Sequence, residues 1–347
     1  MIRKTSLIVF AALLSACSTA SANLFGNILD TITGKNNETG QAVQLPTRHQ
    51  AYMQALNRSA QQAGYVPQVG TNAIVIVGDP GQVSTNLLDG GVIPVAQKFG
   101  IRVLHLSNNG FQNLKYTRNG QDYTGRISNF IVPCNSDLSL CNFNRSFYTD
   151  LEDNPQSIAF FVGRNILWNQ SIPLQRVLSG LSVIPQPGLD GPNRIYIFFD
   201  PDCSTCWHEF HVIQSDLSSI RRKYPKISIE WVPTDIFRAN KSAGRAEQCL
   251  ERGFAAIRED YDHFDLRTET GGLTNIPVAS EENAIAYNVA AIWYLSVRYG
   301  EGGQPQSRSK VYMATPTFMS VINGTPTVVV GVPSSAFFSE VNSSPAP

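Results

Sequence analysis

Two cysteines separated by two residues, Cys203 and Cys206, carry the most specific chemical signal in the sequence. They follow an apolar run at 195–199, which predicts a strand buried on both faces, and then a turn-forming Asp-Pro-Asp. The residues from Cys203 onward have helical spacing. We therefore expect this thiol at a helix N-terminus, where unpaired N–H groups and the helix dipole favour a thiolate. The pattern predicts dithiol redox chemistry, in which Cys203 attacks a substrate disulfide and Cys206 resolves the mixed disulfide.

Two other interpretations of this pair are a structural disulfide and half of a zinc site. His208 and His211 follow closely, but a helix that starts at Cys203 points Cys203 and His208 to different faces. The sequence contains no second CxxC, so we predict no metal and no cofactor. Asp200 and Asp202 flank the turn before the pair. They either raise the pKa of the thiol or cap the helix, and the sequence does not choose between these roles.

Three more cysteines lie outside the N-terminal segment. Cys134 and Cys141 bound an eight-residue segment, CNSDLSLC, which lacks the redox spacing and a strand–helix frame. We predict that they form a structural disulfide, which stabilises the fold by roughly 2–3 kcal/mol through loop closure. We predict that Cys249 is a buried, inert thiol, with a reactive or intermolecular thiol as the alternative.

The N-terminus, residues 1–22, predicts export from the cytoplasm. Two basic residues precede an apolar segment at 7–14 that is too short to span a bilayer. The following Leu-Ser-Ala-Cys looks like a bacterial lipobox with Cys17 as the lipidated residue, and this predicts an outer-membrane lipoprotein of the periplasm. A competing signal-peptidase site at Ala20-Ser21-Ala22 predicts soluble export. In either case the protein faces an oxidising compartment, where disulfides persist.

The elements before the redox pair predict a smaller α/β or α+β domain of unrecognised type at 46–184. The length of 347 residues suggests about two domains, and residues 23–45 are polar enough for a flexible lead-in. The patterns predict helices at 46–63 and 92–99, a hairpin at 114–127, and strands at 73–77, 101–106, 157–162 and 165–168. A stretch dense in Pro and Gly follows, and we predict a linker there, over 185–193.

The elements after the linker alternate between strand and helix. They are a helix through 206–222, a half-buried strand at 227–232, a helix at 241–261 weakened by Gly253, a helix capped by Ser280, a hairpin at 317–332 and a helix at 334–341.

This order of elements resembles the thioredoxin fold, and in particular the periplasmic disulfide isomerases of the DsbC/DsbG class. Phe199-Asp200-Pro201-Asp202-Cys203 matches the family's turn from strand to active site, and Cys203 and Cys206 match its redox pair. Ala314-Thr315-Pro316-Thr317 looks like the segment whose proline is cis and faces the disulfide. The resemblance implies a thioredoxin-like domain at 194–342 with a helical insertion at about 236–300, followed by a tail at 343–347.

A second Thr-Pro, Thr325-Pro326, competes with Pro316 for the role of the cis-proline. The fold requires a strand, a tight turn, a strand and a helix after that proline, and only Pro316 is followed by all four. We therefore predict that Pro316 faces Cys203 across a shallow cleft. Pro326 is predicted to begin an edge strand, where its missing N–H does least harm. The resemblance gives Thr315 the role of pairing with an extended substrate beside the thiolate.

The sequence departs from the family in three places. The insertion and a loop at 301–309 separate the redox pair widely from Pro316. Cys249 looks like half of the family's second disulfide, but the position expected for its partner reads Ala279-Ser280-Glu281. The N-terminal part is also much larger than the compact dimerisation domain of the isomerases, so the resemblance does not extend to a dimer.

Two functions are consistent with these features. The first is a periplasmic or envelope-anchored thiol–disulfide oxidoreductase, isomerase-like because Thr315 precedes Pro316. Its partners would be disulfide-bearing exported client proteins and a membrane or periplasmic redox partner. The alternative is a non-catalytic thioredoxin-like assembly factor or chaperone of the cell envelope, tied to a conjugative or type IV secretion system. The net charge of zero gives no indication of nucleic-acid binding, and a membrane contact is expected only through a lipid anchor on Cys17.

Overall fold

The computed structural model describes residues 45–66, 73–77, 88–106, 111, 113–125, 130–135, 137–141, 155–167, 170–236, 242–300 and 313–346. The predicted export signal, its lipidation site Cys17 and almost all of the lead-in lie outside the described residues. None of the helices within these ranges is both long and apolar enough to cross a membrane.

The elements before residue 184 alternate between short helices and short strands. In chain order they are α1 (Arg48–Gln62), β1 (Ala73–Val77), a π-helical turn (Leu88–Val92), α2 (Ile93–Lys98), β2 (Arg102–Leu106), β3 (Leu114–Arg118), β4 (Gln121–Gly125), β5 (Phe130–Cys134), α3 (Pro155–Phe161), a second π-helical turn (Val162–Leu167) and α4 (Leu174–Ser179).

The elements from residue 184 onward are longer. In chain order they are β6 (Ile184–Asp190), β7 (Asn193–Phe199), α5 (Ser204–Lys223), β8 (Ile227–Pro233), α6 (Ala243–Arg252), α7 (Phe254–Asp262), α8 (Glu282–Tyr299), β9 (Thr317–Ile322), β10 (Thr325–Val330) and α9 (Ser335–Ser343). The strand, helix, insertion and hairpin after residue 193 follow the order that the sequence predicts.

A five-stranded sheet with the order β10-β9-β7-β8-β6 places β7 at its centre. β7 runs parallel to β8 and antiparallel to β9, while β6 and β10 each run antiparallel to their neighbour. Alternate side chains of β7 enter two different cores: Ile195 and Ile197 lie in one, and Tyr196 and Phe198 in the other. The sheet is therefore covered on both faces, as the apolar run predicts.

The prediction of a linker over 185–193 is wrong for the residues that form β6. Ile184 and Leu189 of this strand are buried. Prolines are tolerated here because β6 is an edge strand, and its register with β8 shifts between Pro185 and Asp190. Gly191 follows, where a Cβ would lie 2.1 Å from the carbonyl carbon of Lys226. The Pro- and Gly-rich composition therefore reflects an irregular edge strand and a close backbone approach.

A core around α8 draws on both halves of the chain. Tyr287 and Leu295 of α8, Val95 of α2, Ile158 of α3 and Phe198 of β7 all belong to it. The described residues from Pro46 onward form one compact unit. The division into domains at 46–184 and 194–342 therefore stays a prediction, and this core joins the two parts.

The prediction of strands at 157–162 and 165–168 is wrong. This segment is helix α3 and the π-helical turn that follows it, and both contact α8. Ile158, Ala159 and Val162 are buried in the core around α8. A short apolar run fits a buried strand and a buried helix equally well, and the packing on α8 selects the helix.

The insertion differs from its prediction in two ways. The single helix predicted at 241–261 is two helices, α6 and α7, which separate at Gly253, the weak point that the sequence indicates and where a φ of 71° favours glycine. Ser280 does not cap α8, which begins two residues later with Glu281 as its N-cap. β8 is buried along nearly its whole length rather than half-buried, because α6, α8 and α9 all contact it.

A three-stranded sheet, β2-β1-β5, is covered by α1 and has a core of its own. α1 begins with a capping box between Thr47 and Gln50, and Tyr52 and Leu56 on its buried face enter this core. The hairpin β3–β4 turns at Asn119 and Gly120 with φ values of 52° and 75°, the conformation that Asn-Gly predicts.

Candidate functional site

Cys203 lies where the central strand of the five-stranded sheet passes into a helix of 20 residues. β7 ends at Phe199, a turn follows, and the Cys203 N–H donates to the carbonyl of Asp200 at 3.0 Å. Cys203 is the N-cap residue of α5, with an extended backbone of φ −91° and ψ 110°. Its Sγ accepts a hydrogen bond from the Cys206 N–H at 3.1 Å. The thiol thus replaces a capping hydroxyl and receives an N–H group that the helix leaves unpaired.

The segment before β9 brings a carbonyl group to the same sulfur. The Thr315–Pro316 peptide bond is cis, and the strand that follows pairs with β7. The Cys203 thiol donates to the carbonyl oxygen of Thr315, with Sγ and O 3.2 Å apart. The structure therefore brings Cys203, Cys206 and Thr315 together, although Thr315 is 112 positions from Cys203. Pro326, the competing proline, lies within the edge strand β10.

The two thiols differ in acidity. A hydrogen bond from the Cys206 side chain is the largest of several hydrogen bonds that together lower the pKa of Cys203 below its ordinary value, against the opposing effects of burial and of the charge of Asp200. Burial raises the pKa of Cys206 well above its ordinary value, and the neighbouring Cys203 adds to the rise. Cys203 is therefore the thiol that ionises first, and Cys206 is the thiol that keeps its proton.

The Cys203 thiol is nearly covered. The residue is 3% exposed and Cys206 is 0% exposed, whereas the sequence predicts a nucleophile in a shallow cleft. Thr315, which contacts the sulfur, is itself buried. The groups that contact Cys203 therefore shield it from solvent almost completely.

Asp200 and Asp202 do not cap α5. The Asp200 carboxylate accepts hydrogen bonds from the N–H groups of Asp202 at 2.9 Å and Ile236 at 2.8 Å. Its charge raises the pKa of Cys203, which is the first of the two roles that the sequence leaves open. The Asp202 carboxylate accepts a hydrogen bond from the guanidinium of Arg245. The capping group is Cys203 itself.

Arg245 is a residue of this region that sequence reasoning missed. It lies in the first turn of α6, only 2% exposed, and contacts Asp202, the Pro201 carbonyl and Asp260 of α7. No motif joins Asp202, Arg245 and Asp260. The contact arises because the insertion packs on the turn before Cys203, and spacing along the chain carries no signal for it.

Aromatic side chains pack beside the start of α5. The Tyr261 hydroxyl donates to the Asp200 carbonyl at 3.2 Å, and Trp207 Nε1 donates to the Tyr261 carbonyl at 3.0 Å. The His211 ring lies edge-on to Trp207, with centroids 5.1 Å apart, and its Nε2 is 3.3 Å from the same carbonyl. Within the described residues, no three His, Cys, Asp or Glu side chains are arranged to hold a metal ion.

The other cysteines lie apart from this turn in the chain. Cys134 and Cys141 are joined by a disulfide. Inside their loop, the Asn135 N–H donates to the Leu140 carbonyl at 2.9 Å, and the Leu140 N–H donates to the Asn135 side-chain oxygen at 2.9 Å. Cys249 is a free thiol on α6, completely buried, and burial raises its pKa.

Comparisons with known proteins found likenesses among solved structures. No family model matches the chain, and a search of curated proteins found no match. The crystal structure of BcfH from Salmonella enterica Typhimurium is 14% identical and covers 49% of this chain and 77% of its own, with a TM-score of 0.30. The crystal structure of oxidised Mtb DsbA is 16% identical, and the match covers 47% of this chain and 89% of the DsbA chain, with a TM-score of 0.25. TM-scores this low carry no conclusion about activity.

Proposed function

We propose that this protein is a thiol–disulfide oxidoreductase of the cell envelope, isomerase-like in action, with a thioredoxin-like domain. The observation that carries the proposal is the environment of the Cys203 sulfur. This sulfur caps α5 by accepting a hydrogen bond from the Cys206 N–H at 3.1 Å, and its thiol donates to the Thr315 carbonyl at 3.2 Å. A thiol of lowered pKa at a helix N-terminus, with a second thiol one turn away, is the arrangement that disulfide exchange requires.

The reaction proceeds by two sulfur displacements. The Cys203 thiolate attacks one sulfur of the client disulfide, so a mixed disulfide forms and the other client sulfur leaves as a thiolate. Cys206 then loses its proton and attacks Cys203, which releases the first client sulfur and forms the Cys203–Cys206 disulfide. The client is reduced by two electrons and the protein is oxidised by two. In an isomerisation, a client thiolate displaces Cys203 instead, and the pair stays reduced.

The proposed clients are exported proteins that carry disulfides. An extended client segment would pair with the backbone at Thr315, beside the attacking sulfur, in the manner of strand addition. A membrane or periplasmic redox partner would reset the pair. We propose that the protein acts in the periplasm, anchored to the outer membrane through Cys17. Fractionation of a Cys17→Ser variant tests the anchor, and release into the soluble fraction is the expected result.

Two single variants test the activity. Cys203→Ser is expected to abolish exchange with a disulfide-bonded substrate, because serine retains the cap but is not a competent nucleophile. Cys206→Ser is expected to accumulate mixed disulfides that a reductant releases. Cys249→Ser serves as the control, since this buried thiol has no part in the reaction. Wild-type activity in both Cys203→Ser and Cys206→Ser would contradict the proposal.

The second candidate is a non-catalytic envelope assembly factor or chaperone, tied to a conjugative or type IV secretion system. The observation that favours it is the 3% exposure of Cys203, because a covered thiol suits a binding platform. The reaction of native protein with a small aromatic disulfide separates the two. Reaction at Cys203 without denaturant supports the oxidoreductase, and reaction only after unfolding supports the binding role.

A further inference from the structure

We infer that Arg245 and Asp260, from the insertion helices α6 and α7, are positioning residues for the turn from Asp200 to Cys203, which we call the redox turn. They hold Pro201 and Asp202 in place and offset the charge of the carboxylate that directly precedes Cys203. This inference rests on the proposed function, because it gives the insertion a part in setting the reactivity of Cys203.

The Arg245 guanidinium uses both of its edges. Its Nε and Nη2 donate to the two oxygens of the Asp260 carboxylate, at 3.0 and 2.6 Å. Nη2 also donates to the Pro201 carbonyl at 2.9 Å, and Nη1 donates to Asp202 Oδ1. A bidentate pair of this kind fixes the plane of the guanidinium. Asp260 therefore orients Arg245. Arg245 in turn donates hydrogen bonds to the Pro201 carbonyl and to the Asp202 carboxylate.

This cluster is enclosed by the protein. Asp202 and Arg245 are each 2% exposed, and Asp260 is 1% exposed. Asp260 Oδ1 accepts a further hydrogen bond from the Leu273 N–H at 3.0 Å. The loop after α7 closes over the pair at Gly271, where a Cβ would lie 2.3 Å from Asp260 Oδ1 and 2.4 Å from Arg245 Nη2. Ionic contacts that are shielded from water couple strongly, so removing one partner leaves an uncompensated buried charge.

The charge of Asp202 matters because Cys203 has to become an anion. Asp200 already opposes ionisation of the thiol. Asp202 is directly next to Cys203 in the chain, and the Arg245 cation in contact with it offsets its charge. Without Arg245, a second negative charge would act on the developing thiolate, and like charges disfavour each other's ionisation. The insertion thereby keeps Cys203 reactive.

The test compares three variants of the full chain. Arg245→Met removes the cation, Arg245→Met/Asp202→Asn also removes the negative charge next to Cys203 while Asp260 stays, and Arg252→Met is the matched control. Arg252 lies on the same helix, and its ion pair with Glu259 is exposed to solvent. The readout is the pH dependence of iodoacetamide alkylation at Cys203. Arg245→Met should move the midpoint upward by about one pH unit, the double variant should reverse the shift, and Arg252→Met should leave it in place.

A folded Arg245→Met protein with an unshifted midpoint would overturn the inference. If Arg245→Met does not fold, Asp202→Asn is the deciding variant, because it keeps the contact with Arg245 and removes one negative charge. Its midpoint should move downward, and an unchanged midpoint would overturn the inference as well. Wild-type protein that exchanges no disulfides would refute the proposed function instead, and the alkylation midpoints would still test the role of Arg245.

Discussion

Cys203 and Cys206 lie at the start of a helix of 20 residues, and both thiols are free. Cys134 and Cys141 lie at the end of β5 and in the loop that follows it, and they are joined by a disulfide. The redox turn is surrounded by elements far away in the chain, including the segment before β9 and the insertion. The loop of the disulfide is instead held by hydrogen bonds among its own residues, such as those between Asn135 and Leu140.

Exposure does not distinguish the two pairs. Cys203 and Cys134 are each 3% exposed, Cys141 is 1% exposed and Cys206 is 0% exposed. The difference is in the groups that face the sulfurs. At Cys203 these are a helix N–H and a carbonyl group, and the pKa values of the two thiols move in opposite directions. The comparison therefore teaches that the groups around the sulfurs, more than exposure, distinguish the free pair from the disulfide-bonded one.

The largest expected effect separates activity from stability. Cys203→Ser should lose disulfide exchange down to the uncatalysed rate, with little change in the free energy of unfolding, since serine is a strong N-cap residue. Exchange assays and urea unfolding of the same preparation measure both quantities. Retained exchange in this variant would remove the distinction between the two pairs.

The converse change is Cys134→Ala/Cys141→Ala. The free energy of unfolding should fall by about 2–3 kcal/mol, because the unfolded chain regains the freedom of an eight-residue loop. The exchange rate at a temperature where the variant is folded should stay at the wild-type value. A variant that loses exchange while folded would show that this disulfide takes part in the chemistry.

The third effect is the order in which the thiols react. Because the pKa of Cys203 is lowered and those of Cys206 and Cys249 are raised, alkylation of native reduced protein should occur first at Cys203. The pH at which its rate reaches half of the maximum should lie below the pKa of an ordinary thiol, about 8.5, and the rate should then level off as the thiolate fraction approaches one. Peptide mapping identifies the labelled residue. First labelling at Cys206 would reverse the assignment of nucleophile and resolving thiol.

The smallest effect concerns the pH dependence of stability, and it compares a carboxyl group of the insertion with one of the disulfide loop. Burial raises the pKa of Glu247 on α6 to about 7, so its favourable contribution is present at low pH and is lost as pH rises through that value. Glu247→Gln should therefore raise the free energy of unfolding at pH 8 by about 1–3 kcal/mol and change it little at pH 4.

The pKa of Asp137, in the disulfide loop, is shifted in the opposite direction, so its effect on stability depends on pH in the opposite way. Its pKa is lowered by hydrogen bonds from Ser139, so its contribution is present at neutral pH and is lost on acidification. Asp137→Asn should be slightly destabilising at pH 8 and neutral in acid. Chemical unfolding at the two pH values measures both variants. Equal stabilisation by Glu247→Gln at pH 4 and pH 8 would contradict the burial of its charge.

Local patterns made much of the fold predictable. The apolar run of β7, the Asn119-Gly120 turn and the break at Gly253 each have a cause within a few residues. The errors arose where tertiary contacts decide the structure. β6 has the composition of a linker, and only its place at the sheet edge accommodates two prolines. The segment from Pro155 to Leu167 is helical because it packs on α8.

The candidate site also combines features that local patterns predict with features that only tertiary contacts determine. The location of Cys203 at a helix start follows from the strand–turn–helix pattern, and counting elements singled out Pro316 over Pro326. The hydrogen bond from Arg245 to Asp202 joins residues 43 positions apart, and it depends on how the insertion packs on the turn before Cys203. The near-complete cover over Cys203 likewise comes from tertiary packing. Neither feature leaves a periodic or local signal in the sequence.

The most direct test of the proposed function is a redox titration in glutathione buffers, with mass spectrometry to identify each disulfide. Thioredoxin and DsbA bracket the potentials of exchange-active pairs at roughly −270 and −120 mV. We predict that Cys203–Cys206 converts between dithiol and disulfide within this range, while Cys134–Cys141 stays oxidised throughout. A Cys203–Cys206 pair that fails to exchange with glutathione anywhere in that range would contradict the account.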